Sequence, residues 1–162
     1  MGFHFKQTEP QPGTTNKDWM DWKWQFKSAF QTKQDYENYF KLSEEEQIAF
    51  EQGGSLFRIR TTPYYASLAD FDDPEDPIRK IIMPHKEELA AGVQQMLDPL
   101  GERANNPTTR VIHRYPDRCL LLVTDFCSVY CRYCTRKHFT GQDQAMIKSD
   151  EFEKALDYIA KT

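Results

Sequence analysis

Apolar and polar residues alternate along this chain with helical spacing for most of its length, and only near the end does the pattern change to that of a strand. Trp19, Trp22, Phe26 and Phe30 recur at helical intervals with charged residues between them, which predicts an amphipathic helix from Asp18 to about Phe30 with the aromatic stripe as its packing face. "SEEE" at Ser43 to Glu46 is a capping box, and it opens a short helix that Gly53 and Gly54 close. Thr62 before Pro63 marks another helix start, "TPYYASL", because proline fits the first helical position. The run "DFDDPEDP" reads as a solvated connector, and Pro84 to about Leu97 as a further amphipathic helix. "CLLLVTD", a short apolar run after Arg118, predicts a strand buried on both faces of a parallel sheet. The closing "SDEFEKALDYIAKT" places Phe152, Leu156 and Ile159 on one helical face, with Asp150 and Glu153 spaced as a capping box.

This order divides the chain into a mainly helical region, 1–107, and a basic strand–loop–helix segment, 108–162. The 162 residues suffice for a compact domain with a core. The net charge of −4 argues against a nucleic-acid-binding surface. No stretch reaches the roughly 20 apolar residues that span a bilayer, and the start lacks the apolar segment of a signal peptide, so the expectation is a cytoplasmic protein with no membrane partner. Charge is uneven, however. Carboxylates gather at Glu44 to Glu46 and from Asp70 to Asp76, whereas Arg110, Arg114, Arg118, Arg132, Arg136 and Lys137 surround the last three cysteines, which predicts an anion-binding region there.

Those cysteines are the sharpest chemical signal. Cys127, Cys131 and Cys134 fall within eight residues, "CSVYCRYC", and in a reducing compartment clustered thiols are metal or redox ligands rather than disulfides. Thiolates suit zinc or iron–sulfur clusters. Cys119 is a poor fourth ligand, since eight residues of strand at about 3.3 Å each hold it roughly 26 Å from Cys127. His138 could complete a Cys3His zinc site. Three sulfurs alone would leave one iron of a [4Fe–4S] cluster open to a small molecule.

C-x3-C-x2-C with an aromatic residue before the last cysteine resembles the signature of radical S-adenosylmethionine enzymes. The wider "HRYPDRCLLLVTDFCSVYCRYCTRKHFTG", with "DWKWQ", "TPYYASL" and "DDPEDPIRK" upstream, resembles the N-terminal portion of the lysine 2,3-aminomutase family. The resemblance implies an α/β fold: an N-terminal helical region followed by the first strand–loop–helix unit of a radical S-adenosylmethionine, partial TIM-type barrel. It implies Cys127, Cys131 and Cys134 as ligands of a [4Fe–4S] cluster, with S-adenosylmethionine on the fourth iron and Tyr133 beside its adenine. Arg114, Tyr115 and Arg118 match the segment that helps hold pyridoxal 5′-phosphate, and Arg136 the position that grips the substrate carboxylate; none of these is assigned as a general acid or base.

The implied reaction is the conversion of L-lysine to L-β-lysine through a 5′-deoxyadenosyl radical and a pyridoxal-phosphate aldimine. An external electron donor and a homo-oligomeric whole enzyme go with it. A glutamate 2,3-aminomutase and the relative that modifies a lysyl residue of elongation factor P are the family alternatives. A non-catalytic zinc or iron–sulfur module is the alternative of another class. The family often has His where Tyr133 stands and Arg where His138 stands. Its glycine-rich segment, its pyridoxal-phosphate lysine and its acidic readers of the substrate side chain are expected beyond Thr162, which makes this chain the first part of a longer enzyme, with turnover not expected of it alone.

Overall fold

The tryptophan stripe that predicts one helix is carried by two. In a computed structural model that describes residues 8–53, 58–90, 98–137, 139–140 and 146–162, α1 (Asn16–Met20) stops at Asp21, and α2 (Trp22–Lys27) starts immediately after it. Asp21 takes φ −87° and ψ 112°, and its carboxylate accepts the Lys23 N–H at 2.9 Å, as an N-cap does. The interruption resets the helical phase. Trp19 is therefore buried while Trp22 is 70% exposed, so Trp22 does not belong to the packing face that its spacing predicts.

The other local signals fare differently from one another. A short α3 (Lys33–Glu37) is begun by Thr32 and Asp35. In α4 (Glu44–Gly53) the expected capping box forms: Glu46 Oε2 accepts the Ser43 N–H at 2.7 Å and Ser43 Oγ accepts the Glu46 N–H at 3.3 Å. Thr62 and Pro63 open α5 (Pro63–Ala66), and Asp76 caps α6 (Pro77–Ile82). Of the helix expected from Pro84, the described residues contain a 3₁₀ turn, Lys86–Leu89; residues 91–97 lie outside them, as does Gly54.

By their contacts the residues form two compact units, Met1–Val93 with Ser128–Tyr133, and Gln94–Cys127 with Cys134–Thr162. The first has its core at Phe30, Tyr36, Phe40, Ala66, Ala69, Ile82, Met83 and Val129. Beside this core lies a fully buried guanidinium. Arg79 donates from Nε to Glu46 Oε1 (2.9 Å), from Nη2 to Glu46 Oε2 (2.7 Å) and the Lys41 carbonyl (2.7 Å), and from Nη1 to the Phe71 (2.7 Å) and Asp70 (3.4 Å) carbonyls. All five N–H groups that an arginine carries are thus used. The acidic connector is consequently more than a solvated tether: two of its carbonyls end on Arg79, and Asp70 Oδ1 folds it further by accepting the Asp72 and Asp73 N–H groups.

The second unit holds the only paired strands among the described residues. β1 (Val111–Tyr115) and β2 (Arg118–Leu121) form an antiparallel hairpin, Val111 opposite Leu121 and Tyr115 opposite Arg118. This corrects the reading of "CLLLVTD" as a strand of a parallel sheet buried on both faces. Pro116 and Asp117 turn the chain back on itself, so β2 pairs with the strand just before it, and Cys119, Leu120 and Val123 are exposed. An apolar run identifies a strand, but its neighbours decide whether it is buried. α7 (Ser149–Lys161) follows, two residues earlier in its capping than Asp150 and Glu153 predict: Glu151 accepts the Lys148 N–H at 3.0 Å. Its Phe152, Leu156 and Ile159 remain exposed. Tyr158 Oη meets His113 Nδ1 at 2.7 Å, which ties α7 to β1. The result is a mixture of helices and one small sheet, an α/β chain at the coarse level.

Replacing Arg79 with Met leaves Glu46 buried without its counter-charge, and the expected cost is about 3–5 kcal/mol of stability. Urea unfolding followed by tryptophan fluorescence measures it. The double substitution Arg79→Met, Glu46→Leu should recover part of that loss, the remainder reflecting the Ser43 capping contact that goes with Glu46 and the Lys41, Asp70 and Phe71 carbonyls that lose their donor.

Candidate cofactor and substrate site

The central residues of the cysteine motif are built into the first unit. Val129 is buried in its core, and Cys131 packs against the same cluster. The Tyr130 N–H donates to the Arg60 carbonyl and the Arg132 N–H to the Ile81 carbonyl, each at 2.8 Å. The Arg132 side chain reaches Glu88 through Nε–Oε1 (3.0 Å) and Nη2–Oε2 (2.6 Å), and donates to the Arg58 carbonyl at 3.2 Å. Two main-chain bonds and a bidentate ion pair therefore fix the segment that presents Cys131. Burial pushes the nearby Tyr65 phenol above its ordinary pKa, with Cys131 and Tyr133 adding to the effect. Tyr133 is 70% exposed and lines a cavity of about 600 Å³ that Ser43, Lys80, His85, Glu88 and Arg132 also border.

Cys127 and Cys134 belong to the second unit. All four cysteines are thiols, Cys119 exposed and the three of the motif partly buried. As a donor set, three such thiols on an irregular loop fit an iron–sulfur cluster. Among the described residues, no three His, Cys, Asp or Glu side chains are gathered to hold a metal ion. His138, the alternative zinc ligand, lies outside those residues.

Of the six basic residues expected to form an anion-binding region, Arg114, Arg118 and Arg136 meet at one cavity of the second unit, whereas Arg132 belongs to the first. Arg114, Tyr115, Arg118 and Arg136 all line one cavity of about 410 Å³, together with Leu100, Glu102, Ile112, Cys119 and Leu120. The hairpin explains how three of them meet: Tyr115 and Arg118 are register partners across its turn, and the Tyr115 ring lies 5.9 Å from the Arg114 guanidinium carbon and 5.3 Å from that of Arg118. Arg114 also donates to the Leu100 carbonyl at 2.9 Å, and Arg118 Nε pairs with Asp117 at 3.1 Å. Three guanidiniums on one concave surface with an aromatic ring near two of them suit a ligand with a phosphate or carboxylate, which arginine can bind bidentately.

Two carboxylates that the sequence does not single out complete these arrangements. Glu88 holds Arg132, and Glu102 holds Arg136 with Nε–Oε1 and Nε–Oε2 at 3.1 Å and Nη2–Oε1 at 2.8 Å. The hydrogen bond to Glu102 raises the pKa of Arg136 above the ordinary arginine value, against the opposing effect of burial, with smaller contributions from the Glu102 and Cys134 charges. Glu88 also closes a capping box by accepting the His85 N–H at 3.0 Å, but each glutamate meets its arginine from 34 or more positions away, so no local signal identifies either pairing.

No protein-family model matches the chain. It is similar to the L-lysine 2,3-aminomutase of Clostridium subterminale, 42% identical over 148 residues that cover 91% of this chain and 36% of that protein. It is also similar to the L-lysine 2,3-aminomutase of Bacillus subtilis, 37% identical over 159 residues that cover 98% of this chain and 34% of that protein. With the glutamate 2,3-aminomutase of Clostridioides difficile it is 34% identical over 145 residues, 90% of this chain and 34% of that protein. The chain thus spans about a third of the length of the curated relatives it matches.

The Glu88 clamp generates a prediction about the cysteine loop. Removing a charge-assisted bidentate contact costs about 1.5–3 kcal/mol, and local opening of the segment becomes correspondingly more frequent. Glu88→Gln is expected to raise the rate at which a thiol reagent labels Cys131 by about tenfold, read by peptide mass spectrometry, with labelling of the exposed Cys119 unchanged as the internal control. Equal rates at Cys131 in both forms would mean that Glu88 does not hold the loop.

Proposed function

The chain belongs to the lysine 2,3-aminomutase family, and from that premise we propose that the protein carrying it is a radical S-adenosylmethionine 2,3-aminomutase acting on L-lysine, its 108–162 region being the start of a partial TIM-type barrel. The observation that carries the reading is the convergence of Arg114, Tyr115, Arg118 and Arg136 on one cavity within the same unit as Cys127 and Cys134. Relatives named for lysine favour that amino acid over glutamate as the substrate.

Each residue has a defined task in this proposal. Cys127, Cys131 and Cys134 hold a [4Fe–4S] cluster, and Tyr133, with most of its ring open to solvent, stacks with the adenine of S-adenosylmethionine. Arg114 and Arg118 neutralise the phosphate of pyridoxal phosphate, with the Tyr115 ring near both guanidiniums. Arg136 fixes the α-carboxylate of the substrate and so orients the carbon from which hydrogen is removed, which is the positioning that this chemistry asks of the protein. When bound, the reduced cluster and S-adenosylmethionine supply a carbon radical and pyridoxal phosphate supplies the carbonyl that carries the migrating amine. An external reductant is required.

Anaerobic reconstitution of the whole protein tests the ligands. Cys127→Ala, Cys131→Ala and Cys134→Ala should each lose the four-iron stoichiometry and its absorbance, and Cys119→Ala should keep both; a full cluster in any of the first three overturns the assignment. Isotope-labelled L-lysine should be converted to L-β-lysine and labelled L-glutamate should not. Arg136→Ala should lower kcat/KM for lysine by the equivalent of about 2–3 kcal/mol. Arg136→Lys should restore little of it, because a point charge does not reproduce the planar fork.

A further inference from the structure

Glu102 is 4% exposed, yet it is an acid whose only counter-charge among the described residues is Arg136. Its backbone is held as firmly as its side chain. Gly101 takes φ +64°, a conformation that favours glycine, and closes a turn in which the Gly101 N–H donates to the Asp98 carbonyl at 3.1 Å. Asp98 then accepts the Glu102 N–H through Oδ1 (2.9 Å) and the Arg103 N–H through Oδ2 (2.8 Å). Asn105 donates from its side chain to the Gly101 carbonyl at 2.7 Å, and its own carbonyl accepts the His113 N–H of β1 at 2.8 Å. The carboxylate is thereby fixed to the strand that carries Arg114 and Tyr115.

The atoms used on Arg136 matter. Glu102 takes the edge formed by Nε and Nη2, and Nη1 makes no hydrogen bond among the described residues. The Arg136 side chain is 43% exposed and borders the cavity, whereas the Glu102 side chain is 6% exposed. A ligand carboxylate that displaced Glu102 would leave a buried anion without its partner, a cost of several kcal/mol. A carboxylate that took the edge formed by Nη1 and Nη2 would leave that pair intact.

We infer that Glu102 is a positioning residue for substrate binding: it locks Arg136 by one edge and presents the other to the carboxylate of the amino acid. The inference rests on the proposed role of Arg136. It also assigns the pair a division of labour, with Glu102 supplying orientation and Arg136 contact. Losing Glu102 frees the guanidinium to rotate, so affinity should fall for ligands with the carboxylate and not for those without it.

The test is equilibrium binding to the cofactor-loaded whole protein, measured calorimetrically without turnover in the absence of reductant, with L-lysine and with 1,5-diaminopentane, which is lysine lacking its carboxylate. Glu102→Gln, which keeps the shape and removes the charge, should weaken lysine about tenfold or more and leave diaminopentane within about twofold. In an Arg136→Ala background the same substitution should have no further effect on lysine. Glu102→Asp, which keeps the charge and withdraws it by one methylene, should fall between wild type and Gln, and it serves as the informative variant if the Gln form unfolds at a lower temperature. Equal weakening of both ligands, or an effect of Glu102→Gln that persists without Arg136, overturns the inference. If Arg136→Ala leaves the preference for lysine over diaminopentane intact, the carboxylate role of Arg136 fails and this inference with it. If Arg136→Ala abolishes the preference but Glu102→Gln does not, only the role of Glu102 fails.

Discussion

The buried pair of Arg79 and Glu46 is the contact on which the first unit depends. Its guanidinium gathers four separated pieces of chain: the carboxylate at the start of α4, the Lys41 carbonyl before it, the Phe71 and Asp70 carbonyls of the acidic loop, and α6, on which Arg79 itself sits. Glu46 serves twice, since the oxygen that meets Arg79 Nη2 also accepts the Ser43 N–H. The arrangement is costly to assemble because both charges leave water, and it holds because every donor on the arginine finds an acceptor. Two residues after Arg79, the Ile81 carbonyl accepts the Arg132 N–H of the cysteine loop. The segment that presents Cys131 is thus hung from a helix whose own position is set by the buried pair.

This explains what the sequence makes legible and what it leaves hidden. Helix starts at Ser43 and Thr62 are readable because a cap involves residues only two or three apart, and both form, whereas the Asp76 cap lies inside the run read as a connector. The cysteine spacing is likewise a local signal. The break at Asp21 is equally local but ambiguous: an aspartate within an aromatic stripe can sit on the polar face of one helix or cap a second, and the periodicity of Trp19, Trp22 and Phe26 fits the first reading. The strand "CLLLVTD" was legible as a strand but not in its pairing, because hydrophobicity reports an affinity for cover and not its direction. The turn at Pro116 and Asp117 gave the hairpin a short route to the preceding segment. Arg79 gives no warning of burial at all, since its partners lie up to 38 residues away.

Among the described residues, three arginines meet a glutamate with paired hydrogen bonds, and their surroundings separate scaffold from site. Arg79 is fully buried with all its donors used on protein acceptors, which leaves nothing for a ligand. Arg132, 15% exposed, spends its side chain on Glu88 and the Arg58 carbonyl, and through them on the shape of a loop. Arg136 is 43% exposed, with a buried glutamate on one edge and a cavity beside it. A guanidinium saturated by protein is structural, however charged its neighbourhood in the sequence. One that is gripped along a single edge is oriented without being consumed. Orientation of that kind is what recognition of a carboxylate needs, because the gain from a bidentate contact depends on the plane being set before the ligand arrives. Arg114 and Arg118 differ from Arg136 in lying near the Tyr115 ring, Arg118 with Asp117 on its Nε as well. Among the described residues Arg114 meets a carbonyl and a neutral ring, which leaves its charge for a phosphate, whereas the glutamate on Arg136 lowers the net charge of its corner to one better matched to a single carboxylate.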